Sequence, residues 1–108
     1  MSHPAQDLDE VVHQRNRLAI LAILGEAHKA EFTFLRESLD LTGGNLSRHL
    51  QVLEDAGLIH IEKGYEGRRP RTWARITREG RRALSRELRT LKAVVRSLEG
   101  SPALSERS

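Results

Sequence analysis

The 108-residue sequence contains no cysteine. Disulfides, thiolate metal sites and cysteine nucleophiles are therefore all excluded, and a reducing compartment, the cytoplasm, is the expectation. No apolar run approaches the ~20 residues of a membrane span. No charged-then-apolar leader opens the chain. Serine, histidine and acidic residues occur, but no Ser/His/Asp order, glycine-rich phosphate loop or carboxylate pair gathers them, so an enzyme is not expected and neither is a cofactor. Internal repeats and low-complexity tracts are absent as well. The length suits one domain, residues 1–108, with a modest core.

What is present is charge, unevenly placed. Residues 1–54 hold 5 Lys+Arg and 8 Asp+Glu, a net −3, whereas residues 55–108 hold 13 and 7, a net +6. Such an asymmetry is expected of a surface that meets a polyanion, although a solvated arginine-rich helix gives it too.

The most informative stretch is Thr42 to Leu58. Thr42 is a good helix N-cap, and Gly57 stands where a left-handed residue ends a helix. Leu46, Leu50 and Leu53 fall at i, i+4 and i+7, one apolar stripe for a core. The opposite face carries Gly44, Asn45, Ser47, Arg48, Gln51 and Asp55. Gly43 and Gly44 each cost roughly 1 kcal/mol in a helix against alanine, which suggests that something bulky approaches the backbone there.

Around it, the other elements fall into order. Residues 1–6 carry no pattern and are read as flexible. Asp7 and Glu10 stand in capping-box spacing, so a helix is expected over about 8–24. Val11, Leu18, Leu21 and Ala22 form one face; Leu8, Val12, Ile20 and Ile23 add apolar surface outside it, which hints at a partner helix. Ala30–Phe32 reads as a short strand. Thr33 is the expected cap of a brief helix to Leu39, with Phe34, Leu35 and Ser38 near its inner side, and Asp40–Leu41 turns into Thr42. A short helix, a tight turn and a second capped helix make a helix-turn-helix, here about 33–57. From Leu58 the period changes to 2, with Ile59 and Ile61 on one side. Gly64 to Pro70 reads as a turn-rich loop and Thr72–Ile76 as the return strand, with Ala74 and Ile76 on its core side. Thr77 caps a last helix, about 78–99, in which Leu84, Leu88, Leu91, Val95 and Leu98 step by 4, 3, 4 and 3 in a coiled-coil-like seam. Residues 101–108 are read as a frayed tail. The fold class is thus mainly α with a small β-hairpin and long terminal helices.

Leu41 to Leu50, followed by Leu53-Glu-Asp-Ala-Gly-Leu-Ile59, resembles the recognition helix of winged helix-turn-helix transcriptional regulators. The Ser47-Arg-His-Leu50 run is similar to the ArsR type, within a superfamily that includes the MarR and PadR types. Glu62 to Thr72 resembles the wing and Arg75-Ile-Thr-Arg-Glu-Gly80 the junction after it, so the likeness spans about Leu18 to Leu84. It implies a DNA-binding regulator, in the simplest case a repressor that blocks polymerase. Some ArsR relatives sense metals through cysteines or Asp/His pairs on the last helix. This chain has neither type of site there, so no metal is expected.

On that reading, Asn45, Arg48 and Gln51 reach base edges in the major groove. Thr42, Gly44 and Ser47 lie against phosphates at the helix N-terminus. Arg68, Arg69 and Arg71 sit around Pro70 on the wing, where arginines straddle phosphates or enter a minor groove. Lys63 and Tyr65 are weaker candidates, and Trp73 reads as packing at a sheet edge. The expected partners are duplex DNA and a second copy, meeting through Leu8, Val12, Leu84, Leu88, Leu91, Val95 and Leu98, on a pseudo-palindromic operator. Two alternatives stay open: a winged-helix protein-interaction module, and a regulator with an effector between the dimer helices.

Overall fold

The computed structural model describes residues 3–100. A 3-10 turn at Pro4–Asp7 is followed by α1 (Glu10–His13), α2 (Arg15–Ala27), β1 (Lys29–Glu31), α3 (Phe32–Ser38), α4 (Gly43–Asp55), β2 (Ile59–Glu66), β3 (Arg69–Ile76) and α5 (Arg78–Glu99). The mainly helical class with a small hairpin is as the sequence predicts. The tail expected to fray, residues 101–108, lies outside the described residues. No helix among the described residues is long and apolar enough to cross a membrane.

The first expected helix is the largest departure. It is two helices, and Asp9 caps the first in place of Asp7, its carboxylate accepting from the Val11 and Val12 amides. Gln14, with ψ 130, ends α1 and starts α2, and its side chain accepts from the Arg17 amide at 2.9 Å. The carbonyls freed by the break find a donor: Arg17 Nε donates to the Val11 carbonyl at 2.7 Å. This corner turns Val12 wholly into the core. Val12 is therefore not an interface residue, contrary to the expectation. Ile20, Leu21 and Leu24 join it there fully buried, so the core face of α2 differs from the one read from spacing, and Ala22 is exposed.

The short strand pairs with the return strand of the hairpin, Ala30 opposite Ala74, giving a three-stranded antiparallel sheet in the order β1-β3-β2. α3 starts one residue before the expected cap, without a side-chain cap at Glu31. Phe32, Leu35 and Leu39 then face the core, and Phe34 is turned outward, 55% exposed. Asp40 takes φ 51 in the turn, a region Asp tolerates better than most residues. There Leu41 N–H donates to the Arg36 carbonyl and Asp40 N–H to that of Glu37, the paired bonds of a Schellman ending.

Each strand of the hairpin is longer than predicted. Glu66 pairs with Arg69, so the residues expected in a loop from Gly64 to Pro70 are mostly strand, and only Gly67 and Arg68 form the turn. Gly67 has φ +64, the requirement at the first central position of a II′ hairpin turn. Pro70 is tolerated because β1 reaches only Trp73–Arg75 of β3, leaving that side of Pro70 without a partner strand.

α5 spans the predicted residues. Thr77 accepts from the Gly80 amide at 3.0 Å and donates to the Gly57 carbonyl at 2.7 Å, so one hydroxyl caps the last helix and ties it to the end of α4. The surprise on α5 is Glu87, a charged residue only 2% exposed. Its carboxylate accepts from the Asp9 amide at 3.1 Å and lies 2.8 Å from His13 Nδ1, strapping the N-terminal segment to α5. Nothing in the spacing of α5 distinguishes Glu87 from its surface glutamates. Its partners come from 74 and 78 residues away.

Candidate nucleic-acid interface

α4 carries the polar face. Thr42 Oγ1 accepts from the Asn45 amide at 3.1 Å, while Gly57, at φ +77, closes the other end with Leu58 N–H donating to the Leu53 carbonyl. Leu46, Leu50 and Leu53 are buried as their spacing predicts, and Thr42, Gly44, Asn45, Ser47, Arg48 and Gln51 are all exposed. A Cβ added to Gly43 or Gly44 would meet nothing within 4 Å. Nothing in the chain itself therefore demands glycine at these two positions.

The wing stands beside this face. A cleft of about 430 Å³ lies between them, lined by Ser47, Gln51 and Glu54 from α4, by Ile61, Lys63 and Thr72 from the hairpin, and by Phe32 and Leu50 at its floor. Glu54 sets the spacing: its carboxylate accepts the Ile61 amide of β2 at 3.0 Å, on the strand edge that faces away from β3. Gln51 is held too, donating to Asp55 at 2.8 Å. Lys63, the weaker candidate, thus lies on the cleft side. Its parity with Ile61 was the signal: residues 61 and 63 of one strand share a face.

The three wing arginines have different settings. Arg68 and Arg69 are exposed at the turn. Arg71 lies on the sheet's other face, where Nη1 donates to Glu31 at 2.6 Å, with Nε 3.9 Å from Glu66. Its charge is already answered, and it fastens the wing to β1. The same face carries the Arg75–Glu62 pair at 2.7 Å and Trp73, over which Lys29 Nζ sits 5.4 Å from the ring centroid. A Cβ on Gly64 would come within 3.2 Å of the Trp73 ring. Trp73 is packing, as read from the sequence.

His49 is the titrating group at this site. Arg17 Nη1 lies 3.3 Å from its Nδ1. A guanidinium only donates, so Nδ1 is the acceptor and the ring is neutral. Burial, then the Arg17 charge, then the Arg48 charge hold its pKa below the ordinary 6.5. The unfolded chain therefore binds a proton at a higher pH than the folded one. The resulting stability is fully present above 6.5 and is lost as pH falls from there towards the folded value. Urea midpoints of wild type and His49→Gln, compared between pH 7.5 and pH 5.5, are expected to converge as the pH is lowered. Parallel profiles would remove His49 from the account.

The proposed interface between copies lies elsewhere. Leu88, Val95 and Leu98 are 48%, 50% and 50% exposed along one side of α5, with Leu84 and Leu91 partly covered. Leu84, Leu88 and Leu91 join Leu18 and Ala22 of α2 around an apolar groove of about 600 Å³. Leu8 is half-buried just after the 3-10 turn.

Comparison with known proteins agrees with this architecture. A family model described as a winged helix DNA-binding domain matches residues 16–95. An uncharacterized protein of Methanocaldococcus jannaschii is 35% identical over 83 residues, covering 77% of this chain and 90% of that one. The solved structure of a transcriptional regulator homologue from Pyrococcus horikoshii OT3 is 39% identical, with a TM-score of 0.78 over 83% of this chain and 89% of that chain. A MarR-family regulator from Rhodococcus sp. RHA1, at 20% identity, shares the fold, with a TM-score of 0.65 over 97% of this chain and 74% of that one. The chain therefore belongs to the winged helix DNA-binding domain family.

Proposed function

We propose that this protein regulates transcription by reading a specific duplex sequence as a homodimer in the cytoplasm, and that it acts as a repressor by occluding polymerase. The observation that carries the reading is the shared cleft: the polar flank of α4 and the hairpin lie on either side of one concave surface. Asn45, Arg48 and Gln51 would meet base edges, the asparagine and glutamine suiting adenine and the arginine guanine. Thr42, Gly44 and Ser47 would lie along phosphates at the helix N-terminus. Arg68 and Arg69, with Lys63 behind them, would hold the flanking backbone. Arg71 acts through its grip on Glu31. The open space over Gly43 and Gly44 supports a close approach by an outside molecule.

The exposed seam of α5 and the apolar groove beside it support a second copy as partner. Two recognition helices then reach half-sites about 34–36 Å apart, one turn of duplex. The same groove is also the place where an effector between dimer helices would sit.

Arg48→Ala is expected to lose about 1–3 kcal/mol of discrimination at one base step while leaving binding to random duplex nearly unchanged. Arg69→Ala is expected to weaken all sequences alike and to lower the salt slope by about 0.9. Anisotropy titrations of a selected operator and a scrambled duplex, repeated across salt, separate the two. If both variants tracked wild type on both duplexes, these faces would not be the reading surface.

A further inference from the structure

α5 has a third face, which neither the core nor the seam uses. Arg78, Arg82, Arg86, Arg89 and Arg96 recur along it at helical spacing, with Arg86 and Arg89 also bordering a hollow lined by Asp7, Asp9, Ala83 and the buried Glu87. Among the described residues, one ion pair touches this row, Arg82 with Glu79 at 2.7 Å, both half exposed or more. Four arginines of the row, with Arg81 and Ser85, line a trough of about 410 Å³. The row is about 27 Å long at 1.5 Å per residue.

Its position separates it from the cleft. α5 begins beside Gly57, past the C-terminal end of α4. The N-terminus of α4 lies about 20 Å from that point at helical rise. The turn at Gly67 lies about 25 Å from it at strand rise. The row thus starts at the end of the molecule remote from both proposed contacts with the operator.

We infer that this face of α5 binds the phosphate backbone of a second duplex segment without regard to sequence, so that one assembly holds two stretches of DNA together. A row of guanidinium groups with serine as the one uncharged lining residue suits a nucleic-acid interface, which is polar and strongly positive. A protein partner is disfavoured because arginine anchors in protein interfaces are accompanied by aromatic and apolar ones, and this trough has none of those. The inference rests on the proposed DNA-binding reading only for the first duplex.

The test is a bridging assay with the full chain. A biotinylated duplex carrying a selected operator is fixed to beads, and retention of a fluorescent random duplex is measured. Wild type is expected to retain it, and Arg86→Gln/Arg89→Gln/Arg96→Gln to retain on the order of tenfold less, because three phosphate contacts are lost. Affinity of the triple variant for the single operator should change no more than about twofold, since these side chains lie off the cleft. No retention by wild type, equal retention by the triple variant, or a parallel loss of operator affinity overturns the inference. Capture of poly-glutamate in place of the second duplex also overturns it, in favour of an acidic protein partner. Failure of the operator reading is distinguishable, since wild type would then bridge two random duplexes and Arg48→Ala would leave sequence preference unchanged.

Discussion

Gly80→Ala is expected to destabilise the protein by roughly 3–5 kcal/mol, at the top of the range for single substitutions. A methyl group there would be driven into the Leu58 carbonyl oxygen and would stand 2.8 Å from Ile76 Cγ1. Neither neighbour can yield cheaply. The Leu58 carbonyl accepts the Thr77 amide at 3.0 Å, and Thr77 both caps α5 and donates to Gly57. Moving α5 outward would break these bonds together, at the point where α4, β2 and α5 meet. The usual helical gain of about 1 kcal/mol for alanine over glycine is too small to offset this. Urea denaturation followed by circular dichroism gives the measurement. A loss under about 1 kcal/mol would mean that the close approach of α5 to Leu58 is relaxed in solution.

Leu88→Glu is expected to reduce operator affinity by 10²- to 10⁴-fold without unfolding the chain. Leu88 is 48% exposed and lies outside the buried core, so a charge there costs the monomer little. Across the proposed seam it would face its own copy, placing two carboxylates in an apolar contact. Splitting the dimer removes the effective concentration that delivers the second recognition helix to its half-site, and avidity of this kind is worth 10²–10⁴. Sedimentation should show a monomer with an unchanged far-ultraviolet spectrum. A variant that stays dimeric and binds as wild type would place the contact between copies elsewhere.

Elements whose signals are local were legible in the sequence. Thr42, Gly57 and Thr77 mark helix ends through bonds to residues within a turn, and α4 and α5 lie where those signals put them. The leucines of α4 are buried because their spacing alone defines the face. The corner at Gln14 was not legible: a glutamine cap is a weak signal, and the bond from Arg17 to the Val11 carbonyl beside the inward-turned Val12 spans six residues. Phe34 lies outside for a related reason, since α3 starts two residues earlier than a Thr33 cap implies and Phe32, Leu35 and Leu39 take the inner face. In the candidate site, exposure of Asn45, Arg48 and Gln51 followed from the opposite leucine stripe. The fate of Arg71 did not, because its partner Glu31 lies on a strand 40 residues away. Period-2 alternation, applied through the supposed loop, would have placed Lys63 and Arg71 on different faces.

The bond from the Ile61 amide to Glu54 has a consequence for how a duplex is met. Together with Arg71 on Glu31, it makes hairpin and helix a single prong and bar whose separation is fixed before any ligand arrives. Association then loses little conformational freedom in the protein, and the adaptation required for a close fit falls on the DNA. Sequences that bend easily at the step between the two contacts should be favoured even where no side chain touches a base.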